Sequence, residues 1–213
     1  MTKHTFLISE IFESIQGEGP YAGYPKLFIR LAGCNLKCPY CDTKMKLKRK
    51  AVKKILFTEV VKRVEKSVFD IIITGGEPLL QKAAVFALVE RFPDKSFEIE
   101  TNGTIEITRK YRNVIWALDI KTPSSKGFFN EENLKHIRRR DWINFVITDK
   151  KDLDFAKKFV RSGKLKTDFI YFTPVYGDMD HGYLWEHIVK SEMKKVRLGF
   201  QLHKLIFGKK SEK

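Results

Sequence analysis

The chain of 213 residues contains only three cysteines, and all of them lie in one short stretch. A disulfide framework needs paired cysteines, so we exclude the small disulfide-stabilised folds. No apolar run approaches the length of a membrane-spanning helix, and no long apolar segment follows the start Met1-Thr2-Lys3-His4-Thr5. We therefore expect a soluble, cytoplasmic protein with no membrane partner.

Acidic residues are few compared with basic ones: 26 Asp and Glu face 41 Lys and Arg, which gives a net charge of +15. Seven of the eleven residues from Lys44 to Lys54 are basic. This run is either a solvated surface or a docking site for an acidic electron donor or a phosphate-bearing partner. The hydrophobic content of 43% suffices for a core, so one domain over residues 1–213 is predicted.

The cysteines form a C-x3-C-x2-C pattern at Cys34, Cys38 and Cys41. Three thiolates of one loop can hold three corners of an iron–sulfur cluster, and the lack of a fourth leaves one metal position open for chemistry. On the cysteines alone, a structural zinc site with a histidine as its fourth ligand remains an alternative. The candidate histidines are His4, His181, His187 and His203.

Strands and helices alternate along the rest of the chain. Apolar runs such as Ile71-Ile72-Ile73 are typical of parallel strands buried on both faces. About six strand–helix units can be counted, which predicts an α/β fold with a parallel sheet. The predicted strands cover 6–12, 26–31, 68–73, 96–100, 114–120, 142–148, 169–173 and 196–205, and the predicted helices cover 58–66, 81–92, 131–139, 153–161 and 183–195.

Polar motifs follow the predicted strands, at the end where βα proteins bind their ligands. After one strand come Gly75 and Gly76, whose backbone can approach a ligand closely, and Glu77, which is suited to accept hydrogen bonds from an ammonium group. Arg30 interrupts an apolar strand just before the cysteines. It either forms a structural ion pair or binds an anionic group of a substrate. The motifs are expected to converge beside the cysteine loop.

The cysteine loop and Gly75-Gly76-Glu77-Pro78 resemble the signature of the radical S-adenosylmethionine (SAM) superfamily. Within it, the chain is similar to the 7-carboxy-7-deazaguanine synthase family over nearly its whole length. The motifs of this second resemblance are Ser14-Ile15-Gln16-Gly17-Glu18-Gly19, Phe28-Ile29-Arg30-Leu31, Cys41-Asp42-Thr43, Glu100-Thr101-Asn102-Gly103 and Gln201-Leu202-His203-Lys204. The resemblance implies a partial (β/α)6 barrel of the radical SAM type and a homodimer.

The same resemblance implies an activity and its cofactors. A lyase of this family converts 6-carboxy-5,6,7,8-tetrahydropterin to 7-carboxy-7-deazaguanine with loss of ammonia, in queuosine or archaeosine biosynthesis. It needs a 4Fe-4S cluster, SAM, Mg2+ and an electron donor such as flavodoxin or ferredoxin. Direct binding of nucleic acid is not expected.

Site residues are also implied by the resemblance. Cys34, Cys38 and Cys41 would hold the cluster, and Thr43 would ligate Mg2+. The residues implied for SAM are Gly76, Glu77, Asp119, Ile120, Lys121, Thr173, Pro174, Val175 and Tyr176. The residues implied for the pterin are Ile15, Gln16, Gly17, Arg30 and Thr74.

Two alternatives remain from the sequence. A glycyl-radical-enzyme activase would share the cysteine loop and the diglycine motif, but not the loop from Ser14 to Gly19. A zinc-stabilised RNA-binding protein would use the positive charge and the three cysteines.

Overall fold

A computed structural model describes residues 4–41, 52–109 and 111–208, and the account below concerns these residues. Its strands are β1 (Thr5–Ile15), β2 (Pro25–Leu31), β3 (Lys53–Leu56), β4 (Asp70–Gly75), β5 (Phe97–Thr101), β6 (Val114–Asp119), β7 (Trp142–Ile147), β8 (Phe169–Pro174) and β9 (Val196–Leu198). Its helices are α1 (Phe57–Lys66), α2 (Lys82–Arg91), α3 (Lys150–Arg161), α4 (His181–Lys190) and α5 (Leu202–Phe207).

All nine strands of the described residues form one sheet, in the order β3-β1-β2-β4-β5-β6-β7-β8-β9. The seven strands from β2 to β9 in this order pair in parallel. Strand β1 pairs antiparallel with both β2 and β3. The order is linear within this part of the chain, with β3 and β9 at its two ends, so the barrel is open. This architecture agrees with the predicted partial α/β barrel.

In β5, apolar and polar side chains alternate between the two faces of the sheet. In β5, Phe97 and Ile99 are fully buried in the main core, while Glu98 and Glu100 point to the other face. Successive strand residues face opposite sides of a sheet, so both acids lie on the face opposite the main core, which we call the polar face although it also carries the small cluster of Ala117, Trp142 and Tyr171. Helices α1 to α4 pack their buried residues on the apolar face. The polar face is left to line a cavity.

The helices that cover the core follow their sequence patterns closely. In α1, Val60 and Val64 are one turn apart and completely buried. The side chain of Asp149 caps α3 by accepting a hydrogen bond from the backbone N–H of Asp152. No helix of the described residues is both long and apolar enough to cross a bilayer.

The helix predicted over 131–139 is wrong, because the segment forms only a short 3-10 helix, Glu131–Lys135. The buried side chain of Asn133 explains the difference. Its Nδ2 donates to the carbonyl oxygens of Gly103 and Ile105, and its Oδ1 accepts from the N–H of Ile107. These tertiary hydrogen bonds tie the segment to the loop after β5 and take the place of helical ones.

The end of the chain also differs from its prediction. The strand expected over 196–205 stops at Leu198, and α5 follows. The N–H of Leu202 donates to the carbonyl oxygen of Gly17, so contacts with the loop after β1 draw this segment away from the sheet. The helix expected over 183–195 ends at Lys190, and Glu192 nearby has a positive φ of 52°. Strand β3, which lies at the end of the basic run, was not predicted.

Candidate functional site

A cavity of about 510 Å3 lies against the polar face of the sheet, and the structure brings most of the predicted site residues to it. The predicted residues that line it are Ile15, Gln16, Gly17, Arg30, Cys34, Cys38, Cys41, Thr74, Gly76, Asp119, Lys121, Thr173, Pro174, Val175 and Tyr176. Glu77 and Ile120 are not among its lining residues. Thr43, the predicted magnesium ligand, lies outside the described residues.

The cysteine loop leaves the end of β2 and is fixed to the loop after β4 by backbone contacts. The N–H of Gly76 donates to the carbonyl oxygen of Leu31 (3.0 Å), and the N–H of Glu77 donates to that of Gly33 (2.8 Å). A methyl group on Gly76 would lie 1.8 Å from the oxygen of Gly33, closer than any real contact. The diglycine motif is therefore required because two backbones touch here, one of which leads directly into Cys34.

The motif of Glu77 suggested a carboxylate that binds a ligand in the cavity, but Glu77 does not line the cavity. Its carboxylate is completely buried and accepts three hydrogen bonds: from the N–H of Leu79 (2.9 Å), the hydroxyl of Thr101 (2.8 Å) and the N–H of Asn102 (2.7 Å). Burial raises the pKa of Glu77, and these hydrogen bonds oppose that rise. The side chain joins the loops after β4 and β5 and is directed into the protein.

A chain of amides and a hydroxyl holds the cysteine loop from its other side. Asn102 donates to the side-chain oxygen of Asn35 (3.0 Å) and lies 3.7 Å from the sulfur of Cys34. Thr104 accepts from Asn35 (2.7 Å) and donates to Asn102 (2.6 Å). The position of the first cysteine is thus set by the loops after both β4 and β5.

The three thiols fit an iron–sulfur cluster by their chemistry and placement. Within the described residues, Cys34, Cys38 and Cys41 form no disulfide, and all three line the same cavity. Thiolates are the ligands that such clusters use, and three of them leave one iron open. Within the described ranges, no three His, Cys, Asp or Glu side chains are grouped closely enough to hold a single metal ion.

Next to the cysteines lies an ion pair between Lys121 and Asp119, both at the end of β6. Burial, the largest single influence, would lower the pKa of Lys121, but the charge and hydrogen bond of Asp119 together with Tyr40 and Cys38 outweigh it, and the pKa is raised. Burial also raises the pKa of the Cys38 thiol, which the charge of Lys121 partly offsets. The Oδ1 atom of Asp119 is buried without a hydrogen-bond partner among the described residues. It is an acceptor that a donor group of a ligand such as SAM could satisfy.

Arg30 forms the structural ion pair that the sequence offered as one of two interpretations, and it also faces the cavity. Its Nε donates to Glu10 Oε1 at 2.6 Å, so it forms an ion pair within the protein. It also lines the cavity, and its guanidinium lies over the ring of Phe12 at 5.5 Å. An ion pair through Nε leaves the two terminal nitrogens able to bind an anion.

A pair of carboxylates from β5 lies deeper along the same face. Gln16 Nε2 donates to Glu98 Oε1 (2.7 Å) and to Glu100 Oε1 (3.1 Å). Thr74 donates to Glu100 Oε2 at 2.6 Å, and the indole of Trp142 donates to Glu98 Oε1 at 3.0 Å. Burial, followed by the charge of Glu100, raises the pKa of Glu98 to about 7. Of these five residues, Gln16 and Thr74 were predicted for the pterin, and Glu100 belongs to the motif Glu100-Thr101-Asn102-Gly103.

The raised pKa of Glu98 predicts how stability depends on pH. The folded protein holds this proton up to about pH 7, whereas the unfolded chain releases it near the usual 4.5. The stabilisation is complete below the unfolded pKa and is lost as pH rises through the folded one. Between pH 5 and 8, the free energy of unfolding should therefore fall by about 2 to 3 kcal/mol more in the unchanged protein than in Glu98→Gln.

Urea unfolding under nitrogen at several pH values measures this difference. Gln is uncharged at every pH and keeps an oxygen for Gln16 and Trp142, so the variant should lack this part of the pH dependence. The exposed Glu106→Gln is the matched control and should follow the unchanged protein. Parallel pH profiles for the unchanged protein and Glu98→Gln would contradict the prediction.

The segment around α5 closes one side of the cavity. His203 and Lys204 line it, and Gln201 Nε2 donates to Glu18 Oε1 at 2.9 Å. A methyl group on Gly17 would lie 2.1 Å from His203 Nδ1, so a larger residue there would force the His203 ring to move. The Gln201–Lys204 motif and the Ser14–Gly19 motif, distant in sequence, thus meet at the cavity.

Some residues of the site were missed in the sequence. Glu98 accepts from both Gln16 and Trp142, and neither Glu98 nor Trp142 was proposed. Asn144, which accepts from Thr173 (2.6 Å) beside the cavity, was missed as well. The alternation in Phe97-Glu98-Ile99-Glu100 is the signal that could have found the carboxylate pair, because it puts both acids on one face.

Comparison with known proteins gives a consistent picture. The family model described as the Radical SAM superfamily matches residues 28–184. A protein of Thermoplasma acidophilum named 7-carboxy-7-deazaguanine synthase is 41% identical over 95% of this chain and 97% of its own. One of Methanospirillum hungatei with the same name is 39% identical over 93% of this chain and 84% of its own.

A solved structure has a similar fold. The crystal structure of QueE from Escherichia coli superposes with a TM-score of 0.74 and covers 93% of this chain and 95% of its own. The sequences are 23% identical, so this likeness concerns the fold alone.

Proposed function

The chain belongs to the radical SAM superfamily and, within it, to the 7-carboxy-7-deazaguanine synthases, and we propose that it converts 6-carboxy-5,6,7,8-tetrahydropterin to 7-carboxy-7-deazaguanine with loss of ammonia. The observation that carries the proposal is a single cavity lined both by the three cysteines and by Arg30, Thr74 and Glu100. A site for radical generation and a set of groups suited to a carboxylated pterin are therefore adjacent.

Cys34, Cys38 and Cys41 hold the cluster in this proposal. A 4Fe-4S cluster with bound SAM supplies the radical chemistry that removes hydrogen from C6 of the pterin. The protein contributes orientation and exclusion of water. The backbone lock between Gly33 and the Gly76-Glu77 peptide supports this role, because it fixes the cysteine loop against the loop that would contact SAM.

SAM binds, in the same proposal, along the ends of β4, β6 and β8. Gly76 offers backbone groups that no side chain obstructs. The orphaned Oδ1 of Asp119 offers an acceptor, and Lys121 keeps the charge of that carboxylate balanced. The segment from Thr173 to Tyr176 supplies further contacts. Glu77 acts by fixing the loop, because its carboxylate is already occupied by protein donors.

The pterin has one carboxylate and a pyrimidine edge with N–H donors and a carbonyl acceptor. Arg30 would bind the carboxylate through its terminal nitrogens. Within the described part of the chain, each oxygen of Glu100 accepts one hydrogen bond and keeps room for another, which suits the amino and ring N–H groups. The loop from Ile15 to Gly17 would supply backbone groups, and Thr74 can accept a hydrogen bond while it donates to Glu100.

The remaining parts of the proposal concern cofactors and partners. Mg2+ would bind at Thr43, a hydroxyl oxygen that suits a hard cation. An acidic electron donor such as flavodoxin or ferredoxin would be attracted by the net charge of +15. We place the enzyme in the cytoplasm and as a homodimer. Trp185 and Val189, about half exposed and one turn apart on α4, support a second copy of the chain there.

The two alternatives from the sequence are not favoured. Relatives that cover more than nine-tenths of this chain carry the synthase name, and not that of an activase of a glycyl-radical enzyme. Membership of the radical SAM superfamily also speaks against a zinc-stabilised RNA-binding protein.

Anaerobic turnover tests the proposal directly. Reconstituted protein is incubated with the carboxytetrahydropterin, SAM, Mg2+ and a reductant, and the products are followed by chromatography. We expect 7-carboxy-7-deazaguanine and ammonia in equal amounts, with no product when SAM is left out. Cleavage of SAM without conversion of the pterin would leave the superfamily in place and disprove the substrate.

A further inference from the structure

Along strand β1, the even-numbered side chains change from one face of the sheet to the other. It pairs with β2 in antiparallel register, but the register shifts between Ile8, which pairs with Leu31, and Glu10, which pairs with Arg30. One extra residue, Ser9, therefore lies in β1 opposite a single step of β2. Such a β-bulge turns the side chains that follow it to the other face of the sheet, and bulges are frequent beside active sites.

Burial on the two sides of the bulge shows the change of face. Before it, Phe6 and Ile8 are almost completely buried in the core under the helices. After it, Phe12 and Ser14 line the cavity, although they continue the same even-numbered series. Regular pairing would have kept all four on one face, because the period of a strand is two residues. The bulge thus turns the second half of β1 toward the cavity, including Glu10.

Two of the side chains turned in this way hold Arg30. Glu10 Oε1 accepts from Nε at 2.6 Å, and the ring of Phe12 lies under the guanidinium at 5.5 Å. The side chain of Arg30 is only 16% exposed, so its charge needs a partner nearby. Phe12 is itself stacked on Phe28, with 5.0 Å between ring centroids, which fixes the platform.

The ion pair with Glu10 is formed by the Nε atom of Arg30. Arginine carries five N–H groups in a rigid plane, and an ion pair through Nε leaves the four on its terminal nitrogens for a second anion. We propose that Glu10 is a positioning residue for the substrate: it fixes the guanidinium plane of Arg30 so that the terminal nitrogens meet the pterin carboxylate. This inference rests on the proposed function and deepens it.

The experiment measures how two pterins bind to the cluster-loaded protein with SAM present. One is the carboxytetrahydropterin and the other is tetrahydropterin without the carboxylate. We expect Glu10→Ala to weaken binding of the carboxylated pterin about ten-fold, because the hydrogen bond between charged groups that orients Arg30 is lost. Binding of the pterin without the carboxylate should stay unchanged. Glu10→Gln keeps an oxygen acceptor and should recover part of the loss.

Glu13→Ala is the matched control. Glu13 lies on the same strand at an odd-numbered position, and its oxygen is 3.5 Å from the hydroxyl of Ser67, away from Arg30. It should bind both pterins like the unchanged protein. Thermal unfolding of all variants shows whether each is folded at the assay temperature.

Each outcome supports or overturns the proposed role of Glu10. An equal loss of affinity for both pterins in Glu10→Ala would make Glu10 merely structural, and no loss for either would overturn the inference as well. Both results leave the proposed function standing. If the unchanged protein binds neither pterin, the proposed function fails and the inference fails with it.

Discussion

Gly76→Ala should lower kcat/KM about a hundred-fold or more and reduce the iron held by the protein. The added methyl group would lie 1.8 Å from the carbonyl oxygen of Gly33 and 3.0 Å from the N–H of Cys34. Both are backbone atoms, so no side chain can rotate to make room. The loop that carries Cys34 must shift, and displacement of a reacting group by about 1 Å costs on the order of a hundred-fold in rate.

Iron content and turnover after anaerobic reconstitution measure this effect together. Gly182→Ala is the control, since Gly182 lies in α4 and the nearest atom to an added methyl group is a side-chain oxygen of Asp180 at 3.1 Å. That variant should keep its iron and its activity. Circular dichroism separates a shifted loop from an unfolded chain. A Gly76→Ala protein with full iron and normal turnover would show that the close approach of the two backbones does not matter.

The sequence predicted which residues meet at the cavity better than it predicted the details of the fold. Runs such as Ile71-Ile72-Ile73 are apolar enough to identify a buried strand. The motifs that follow such strands were therefore expected together, at the carboxyl-terminal edge of the sheet. That is why Cys34, Arg30 and Gly76, separated by up to forty-six residues, could be expected to meet. These residues meet because of the topology of the sheet, and the order of strands and helices along the chain indicates that topology.

Contacts between distant segments could not be predicted in the same way. The residues 131–139 have helical spacing, yet Asn133 binds three backbone groups of the loop after β5, and nothing local in the sequence shows this. Similarly, α5 forms where a strand was expected because Leu202 and Gln201 bind the loop after β1. In both cases tertiary hydrogen bonds outweigh local preference.

The direction of individual side chains was the least predictable part. Glu77 looks like a ligand in the sequence, but its carboxylate faces three donors inside the protein. Regular alternation from Phe6 and Ile8 would direct Glu10 into the core, and only the bulge at Ser9 turns it toward Arg30. A single inserted residue reverses the alternation on which such predictions depend, so a pattern of period two fails at that point.

Arg30→Ala should lower kcat/KM for the carboxytetrahydropterin about a thousand-fold and leave SAM binding largely unchanged. Two charge-assisted hydrogen bonds to the substrate carboxylate would be lost, each contributing about 2 kcal/mol, and about 4 kcal/mol corresponds to a thousand-fold in rate. The change also removes the ion pair between Arg30 and Glu10, which adds to the damage at the substrate end of the cavity. The SAM end depends on the loops after β4, β6 and β8, which do not contact the Arg30 guanidinium through any hydrogen bond of the described residues.

Steady-state turnover and equilibrium binding of SAM separate the two ends of the cavity. Arg139→Ala removes the same charge from an exposed pair with Asp168 and should change neither quantity. Arg30→Lys restores the charge without the planar fork, so we expect it to recover only part of the lost rate. Turnover that survives Arg30→Ala unchanged would reduce Arg30 to a structural partner of Glu10. In that case the carboxylate would have to be bound elsewhere in the cavity, with Lys204 as the next cation to replace.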